Sequence, residues 1–259
     1  MEKEKFKSII KICAEQEDVR NEILKNHDNN LWWPITIKDS RKRLLIAGLS
    51  TRISYNMIDT YISVINEFDM YSYEELASMN MEKMISIIKP LGLSNSRYTY
   101  IQSMVNLIEK YGDKLLNATN EEAIEIISKN VKGASYKVAQ CCTLYMKGYY
   151  CGIMPVDSGM KDVELPCFGF EHYKTPKGHE ILRKELEELV ENNDFREIIK
   201  ENHYDELNIE NMDNPTWLVH LLLIYYKRLY CNKHNSSACP LKREKLTKDK
   251  CDREKWKLI

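Results

Sequence analysis

Apolar positions along this chain recur at three- and four-residue intervals, the spacing of helices that each bury one face. The first run spans about Lys5 to Leu24 and predicts one helix, closed by the Asn-rich stretch Asn26-His27-Asp28-Asn29-Asn30. Leu31-Trp32-Trp33-Pro34 then reads as an apolar lid over a core. From Arg41 onward helical patterns follow one another with short breaks. Leu44-Leu45-Ile46 leads into Gly48-Leu49-Ser50, and Met57, Ile58, Tyr61, Ile62 and Ile65 share a face. Ser72 stands as an N-cap before Tyr73-Glu74-Glu75-Leu76, and the pattern from Met81 to Ile88 stops at Lys89-Pro90.

Gly92-Leu93-Ser94-Asn95-Ser96-Arg97 opens the next helix, with Tyr100, Ile101, Met104, Val105 and Ile108 on its apolar side. Asn120-Glu121-Glu122-Ala123 starts a helix that feeds a turn at 130–135. After Asp157 the pattern loosens through Pro166 and Pro176. Two acidic helices then occupy roughly 178–202, and a last apolar helix runs from Trp217 to Tyr230. Sustained alternation and Asn-Gly hairpin signals are absent, so an all-α protein is expected.

Composition fits that picture. The 259 residues are 30% charged and 43% hydrophobic with only 9 Gly and 7 Pro, which suits helices joined by short loops. No apolar run approaches the ~18 residues of a membrane span, and Met1-Glu2-Lys3-Glu4-Lys5 does not read as a signal peptide. A cytoplasmic protein without a membrane partner is expected, its eight cysteines serving as thiols or metal ligands. The net charge of −1 selects no partner, but its distribution is uneven. Residues 180–213 hold twelve Asp/Glu against four Lys/Arg, while 227–257 hold eleven Lys/Arg against four Asp/Glu. A basic tail of that kind can neutralise phosphates, or simply be a solvated end.

Candidate chemistry gathers at Val131-Lys132-Gly133-Ala134-Ser135-Tyr136-Lys137-Val138-Ala139, with Asp157 following twenty residues after Lys137. Gly133 allows a tight turn, and the amides after it open a helix N-terminus that can receive a phosphate. The same pattern also serves as an ordinary helix–helix connection. A lysine there becomes a nucleophile when something nearby keeps its amine neutral, and Asp157 offers one carboxylate.

These segments together resemble the helix-hairpin-helix DNA glycosylase superfamily, in particular its endonuclease III branch. The family hairpin reads Leu-Pro-Gly-Val-Gly-x-Lys-Thr-Ala, to which Val131 to Ala139 is similar. Val156-Asp157-Ser158-Gly159 resembles the family's Val-Asp-Thr-His loop, and Gly92 to Arg97 its Gly-Leu-x-x-x-Lys helix start. Leu44 to Ser50 resembles its opening Leu-Leu-Ser helix, and Trp217-Leu218-Val219-His220 through Tyr230-Cys231 the helix before its iron–sulfur loop. The likeness covers roughly 41–259. It departs from the family at Ser135, where a second glycine stands, at Lys132, where a proline stands, and at Gly159, where a histidine stands.

The resemblance implies a two-lobed helical fold. Residues 41–150 would form a helical-barrel lobe carrying the hairpin, and 1–40 with 151–259 a terminal lobe. It implies a repair enzyme that acts as a monomer on damaged double-stranded DNA. Lys137 would attack the sugar, displace the base and form a Schiff base that leads to strand cleavage, with Asp157 supporting the charge. Val131, Lys132, Gly133, Ser135 and Tyr136 would meet the DNA backbone, and Arg52 would fill the gap left by the flipped nucleotide. Base choice would fall to pocket residues such as Tyr136, Tyr55, Phe168 and Phe170. The alternatives are a monofunctional glycosylase that uses Asp157 alone, or a relative that binds nucleic acid without cutting.

The branch ends in four cysteines around a [4Fe-4S] cluster, where four thiolates are needed. This chain offers Cys231, Cys239 and Cys251, spaced Cys-x7-Cys-x11-Cys. His234 could complete a cluster or, with the three cysteines, a zinc shell. A metal-free loop without cofactor is the expectation. Cys141-Cys142, just past the hairpin, read as core thiols because adjacent helical residues face apart.

Overall fold

The structure is a computed structural model that describes residues 1–27, 37–205, 214–231 and 238–248. The Trp32-Trp33 lid, His234 and Cys251 lie outside the described residues, as does the side chain of Tyr55. No strand occurs among the described residues, and the chain is all-α. It divides into two compact units, Met1–Lys25 with Gly152–Ile259, and Asn26–Cys151.

In chain order the helices begin with α1 (Lys3–Ala14), α2 (Glu17–His27), α3 (Ser40–Leu49) and α4 (Ile58–Asp69). They continue with α5 (Tyr73–Ser78), α6 (Met81–Ile88), α7 (Ser94–Tyr111), α8 (Asp113–Leu116), α9 (Asn120–Asn130) and α10 (Tyr136–Lys147). The remainder are α11 (Leu165–Phe168), α12 (Gly178–Glu191), α13 (Arg196–Glu201), α14 (Thr216–Tyr226) and α15 (Pro240–Arg243).

The unit Asn26–Cys151 is built around α10, which packs against α3 and α9, while α3 also packs against α7. Residues Val138 to Met146 of α10 are all buried, so this helix is wrapped on every side. The polar starts of two helices of this unit are fixed locally. Ser72 with Glu75, and Thr119 with Glu122, form reciprocal capping boxes at α5 and α9. Gly48 brings α3 and α7 together: a Cβ there would lie 2.2 Å from the Tyr100 ring. The same tyrosine donates its hydroxyl to the Leu44 carbonyl at 2.7 Å.

The other unit centres on α14, buried along its whole length and packed against α1 and α12. Phe6 of α1 meets Phe170 and Phe195 edge-on, with ring centroids 6.4 and 6.3 Å apart. Phe168 and Phe170 are both buried in this core. Each such side chain contributes about 1.5–3 kcal/mol through burial. Part of the acidic block is also internal. Arg183, fully buried on α12, pairs with Glu180 at 2.7 Å and with Glu187. The other Glu187 oxygen accepts the Met154 N–H at 2.8 Å.

Three elements differ from the sequence expectation. The single first helix is two: the chain turns at Glu15-Gln16, where the Gln16 side-chain amide donates to the Ile12 carbonyl at 2.7 Å. The stretch after Asp157 is helical rather than loose. It begins at Ser158 and passes through a π-helical turn, Met160–Glu164, into α11. The last apolar helix likewise leaves α-geometry after Tyr226 and continues as a π-helical turn, Lys227–Cys231. No helix among the described residues is long and apolar enough to cross a membrane.

Candidate functional site

The turn between α9 and α10 is closed by a hydrogen bond from Ala134 N–H to the Val131 carbonyl at 3.1 Å. Gly133 carries it at φ +83°, in the left-handed region that glycine occupies without penalty. Ser103 of α7 fastens the turn on one side, accepting the Lys132 N–H at 3.0 Å and donating to the Asn130 carbonyl at 3.3 Å. Lys132, Gly133 and Ser135 are exposed, Val131 is buried beneath them, and Tyr136 and Lys137 are half-buried.

Ser135 sits at the N-cap of α10 with extended backbone, yet its hydroxyl makes no capping bond. The first amides of a helix have no partner within it, so this end presents donors and a partial positive charge. Lys137 lies in that first turn. Its charge reaches Cys142, whose thiol burial pushes up to about 12 and whose sulfur lies 3.0 Å from the Tyr100 hydroxyl. Cys141 and Cys142 are both buried.

In the same unit, Arg52 is exposed and holds φ +54°, a left-handed backbone that costs a side-chain-bearing residue about 1–2 kcal/mol. Arg97, only 3% exposed, organises this corner. Its guanidinium donates to the carbonyls of Gly48, Leu49 and Thr51 at 3.2, 2.8 and 3.0 Å, and to those of Leu91 and Gly92 at 3.3 and 2.9 Å. The end of α3 and the start of α7 are thus tied to one buried cation, with Thr51 held immediately before Arg52.

Asp157 belongs to the other unit. One carboxylate oxygen accepts the Met160 N–H at 2.7 Å and caps the helix that follows. The other oxygen pairs with the ammonium of Lys227, the first residue after α14. The Lys227 side chain is 6% exposed and that of Asp157 34%. Nearby, Glu164 is fully buried, and neither carboxyl oxygen has a hydrogen-bond partner among the described residues. Burial pushes its pKa well above the usual carboxylate range; Lys227 pulls the other way, and Asp157 adds to the rise. His179 of α12 shares a 2.7 Å hydrogen bond with the Val156 carbonyl through Nδ1, and burial holds its pKa below the usual value.

Sequence reasoning missed Lys227, Glu164 and His179. The available signal was an ionisable residue inside an apolar run, as in Val163-Glu164-Leu165, where a charge is costly unless it is paired or neutral.

The cysteine tail does not fit a four-thiolate cluster. Only three cysteines follow α14, and Cys239 is engaged by Tyr226, whose hydroxyl lies 3.1 Å from its sulfur and accepts the Leu241 N–H at 3.2 Å. Cys231 is half-buried. Among the described residues no three His, Cys, Asp or Glu side chains form a group that could hold a metal ion.

Comparison of the chain with protein-family models, with curated proteins and with solved structures finds no match in any of the three.

Proposed function

We propose that this chain is a DNA repair glycosylase with an associated lyase activity. The observation that carries the reading is the turn at Val131–Ser135. A left-handed Gly133 opens a helix whose serine cap is unused, and Lys137 stands in its first turn. Such an end receives a DNA phosphate on its amides, helped by Lys132 and Tyr136, while Arg52 provides an exposed cation for the space a flipped nucleotide leaves.

In this reading the neutral Lys137 amine attacks the sugar C1′ of the flipped nucleotide. The C1′–N bond breaks, its electron pair leaves with the base, and the base takes up a proton. Opening of the sugar ring gives an iminium between Lys137 and C1′. Loss of a C2′ proton then expels the 3′ phosphate by β-elimination. Asp157, paired with Lys227 and accepting the Met160 N–H, stabilises positive charge developing on the sugar. The reading carries with it damaged double-stranded DNA as the partner, a monomer and a cytoplasmic setting. No step runs through a metal.

The test is borohydride trapping on abasic-site DNA. The wild type is expected to form a covalent adduct that Lys137→Ala does not form. Base release without an adduct would assign a monofunctional reaction through Asp157. DNA binding with neither product on any damaged duplex would leave a non-cleaving nucleic-acid-binding protein and overturn the enzyme reading.

A further inference from the structure

Glu164 has no part in the chemistry above and Lys227 enters it only as the partner of Asp157, yet the two surround the carboxylate that chemistry uses. Each lies on one of two π-helical turns, Met160–Glu164 and Lys227–Cys231, which pack against each other. Such turns insert an extra residue into a helix and are frequent where a side chain must be re-aimed at a functional site. Here they bring one buried cation and one buried acid to the Asp157 end of the same unit.

We propose that Lys227 is the positioning residue for the Asp157 carboxylate and that Glu164 works as its pH gate, silent while it carries a proton and competing for Lys227 once it has lost it. This inference rests on the glycosylase reading, because it assigns Asp157 a task.

The argument starts from charge. Lys227 is almost fully buried, so its ammonium must be matched inside the protein, and Asp157 is the carboxylate it pairs with. That contact and the Met160 N–H fix both carboxylate oxygens in place while the side chain stays about one-third exposed. A carboxylate has lone pairs to spare after two such bonds, so a substrate can still be met.

Glu164 is in the opposite condition. It has no exposure and, among the described residues, no hydrogen bond to either oxygen, which a carboxylate anion does not tolerate and a protonated acid does. Its other titratable neighbours are quiet. The Cys13 thiol of α1, with Cys239 near it, is pushed well up by burial and by Glu164. His179 of α12, whose charged neighbours are Lys161, Asp162 and Asp157, has its pKa lowered by burial. Lys161 is itself engaged by Asp162 and by the Tyr173 carbonyl at 2.9 Å. Lys227 is therefore the cation that faces Glu164 among the described residues. While Glu164 is neutral, Asp157 has that cation to itself. Once Glu164 ionises, two anions share it.

Carboxyl-carbon NMR of protein labelled at Asp and Glu, titrated without DNA, reads this directly. A glutamate signal missing from Glu164→Gln should titrate well above the ordinary glutamate value, about 4.3. The signal missing from Asp157→Asn should respond to that same step in the wild type and lose the response in Glu164→Gln. Its own midpoint should rise by about one to two pH units in Lys227→Met and return most of the way in Lys227→Arg. A Glu164 midpoint in the ordinary range, about 4.3, or an Asp157 signal indifferent to Lys227→Met, overturns the proposal. If Lys227→Met does not fold, the wild type and Glu164→Gln decide alone, and absence of the shared step overturns it. Base release against pH completes the test: a fall in release as pH rises through the Glu164 step should vanish in Glu164→Gln. Release with one unchanged profile in every variant sinks the gate and keeps the glycosylase. NMR coupling with no release from any damaged duplex does the reverse.

Discussion

The helix start at Ser135 and the helix start at Asp157 solve one problem in opposite ways. Both must satisfy amides that a helix leaves unpaired at its beginning. Asp157 does so from within, its carboxylate on the Met160 N–H and its remaining charge on Lys227. Ser135 does not, since its hydroxyl makes no capping bond and α10 opens onto an exposed turn. A helix end that supplies its own anion is finished, whereas one that does not is ready for an anion from outside. That contrast is why the Val131–Ser135 turn reads as a phosphate site and the Asp157 end as a source of fixed negative charge.

The contrast can be broken from either side. Lys137→Ala should have the largest effect, removing the borohydride-trapped adduct down to background. Its stability cost should stay within about 1 kcal/mol, because the side chain is only half-buried. An adduct that survives with the protein intact would shift the nucleophile elsewhere. Asp157→Ala should cost the protein about 3 kcal/mol in a urea melt, since it strands a buried Lys227 and uncaps Met160. Asp157→Asn keeps the cap and should lower base release about 10²–10³-fold.

Gly133→Ala comes next. A Cβ there meets nothing within 4 Å, so the cost is purely that of φ +83°, about 1–2 kcal/mol. A neutral result would mean that the turn readily adopts another backbone. Ser135→Asp, which gives α10 the internal anion that Asp157 gives its own helix, should raise stability by about 0.5 kcal/mol and weaken DNA binding at low salt. Binding that is unchanged or tighter would remove the turn from the DNA interface.

The smallest effect is a pH dependence. His179 bonds the Val156 carbonyl beside Asp157, and its pKa is lowered in the fold. Its contribution to stability is therefore present above the ordinary histidine value, about 6.5, and is lost as pH falls through the lower folded value. Urea melts at pH 7.5 and pH 5 should show that loss in the wild type and a flatter response in His179→Gln. An identical slope in both would assign the acid sensitivity to another group.

Much of this architecture was legible because short-range chemistry decides it. The boxes Ser72/Glu75 and Thr119/Glu122 and the stop at Lys89-Pro90 depend on residues within one turn, and each helix lies where those signals put it. Tyr100, Ile101, Met104, Val105 and Ile108 fall on the buried side of α7 as their spacing implies. What failed to show was register. The π-helical turn at Met160–Glu164 moves apolar positions off the 3.6-residue period, so a helix looked like a loose segment. Of the proposed chemistry, Lys137 and Asp157 were candidates from spacing and residue type. Lys227 was not, because nothing near Trp217–Tyr226 says that the charge after it faces inward to a carboxylate seventy residues earlier.

Gly48 has a consequence for anyone who reads this protein by random substitution. With the Tyr100 ring where its first side-chain carbon would be, even alanine must displace a buried tyrosine whose hydroxyl is bonded to Leu44. A variant screen for lost activity would therefore score Gly48 as severely as Lys137, although no ligand or reacting atom need come near it. Soluble yield measured alongside activity separates the two: a Gly48 variant should fail both, and a Lys137 variant only the second.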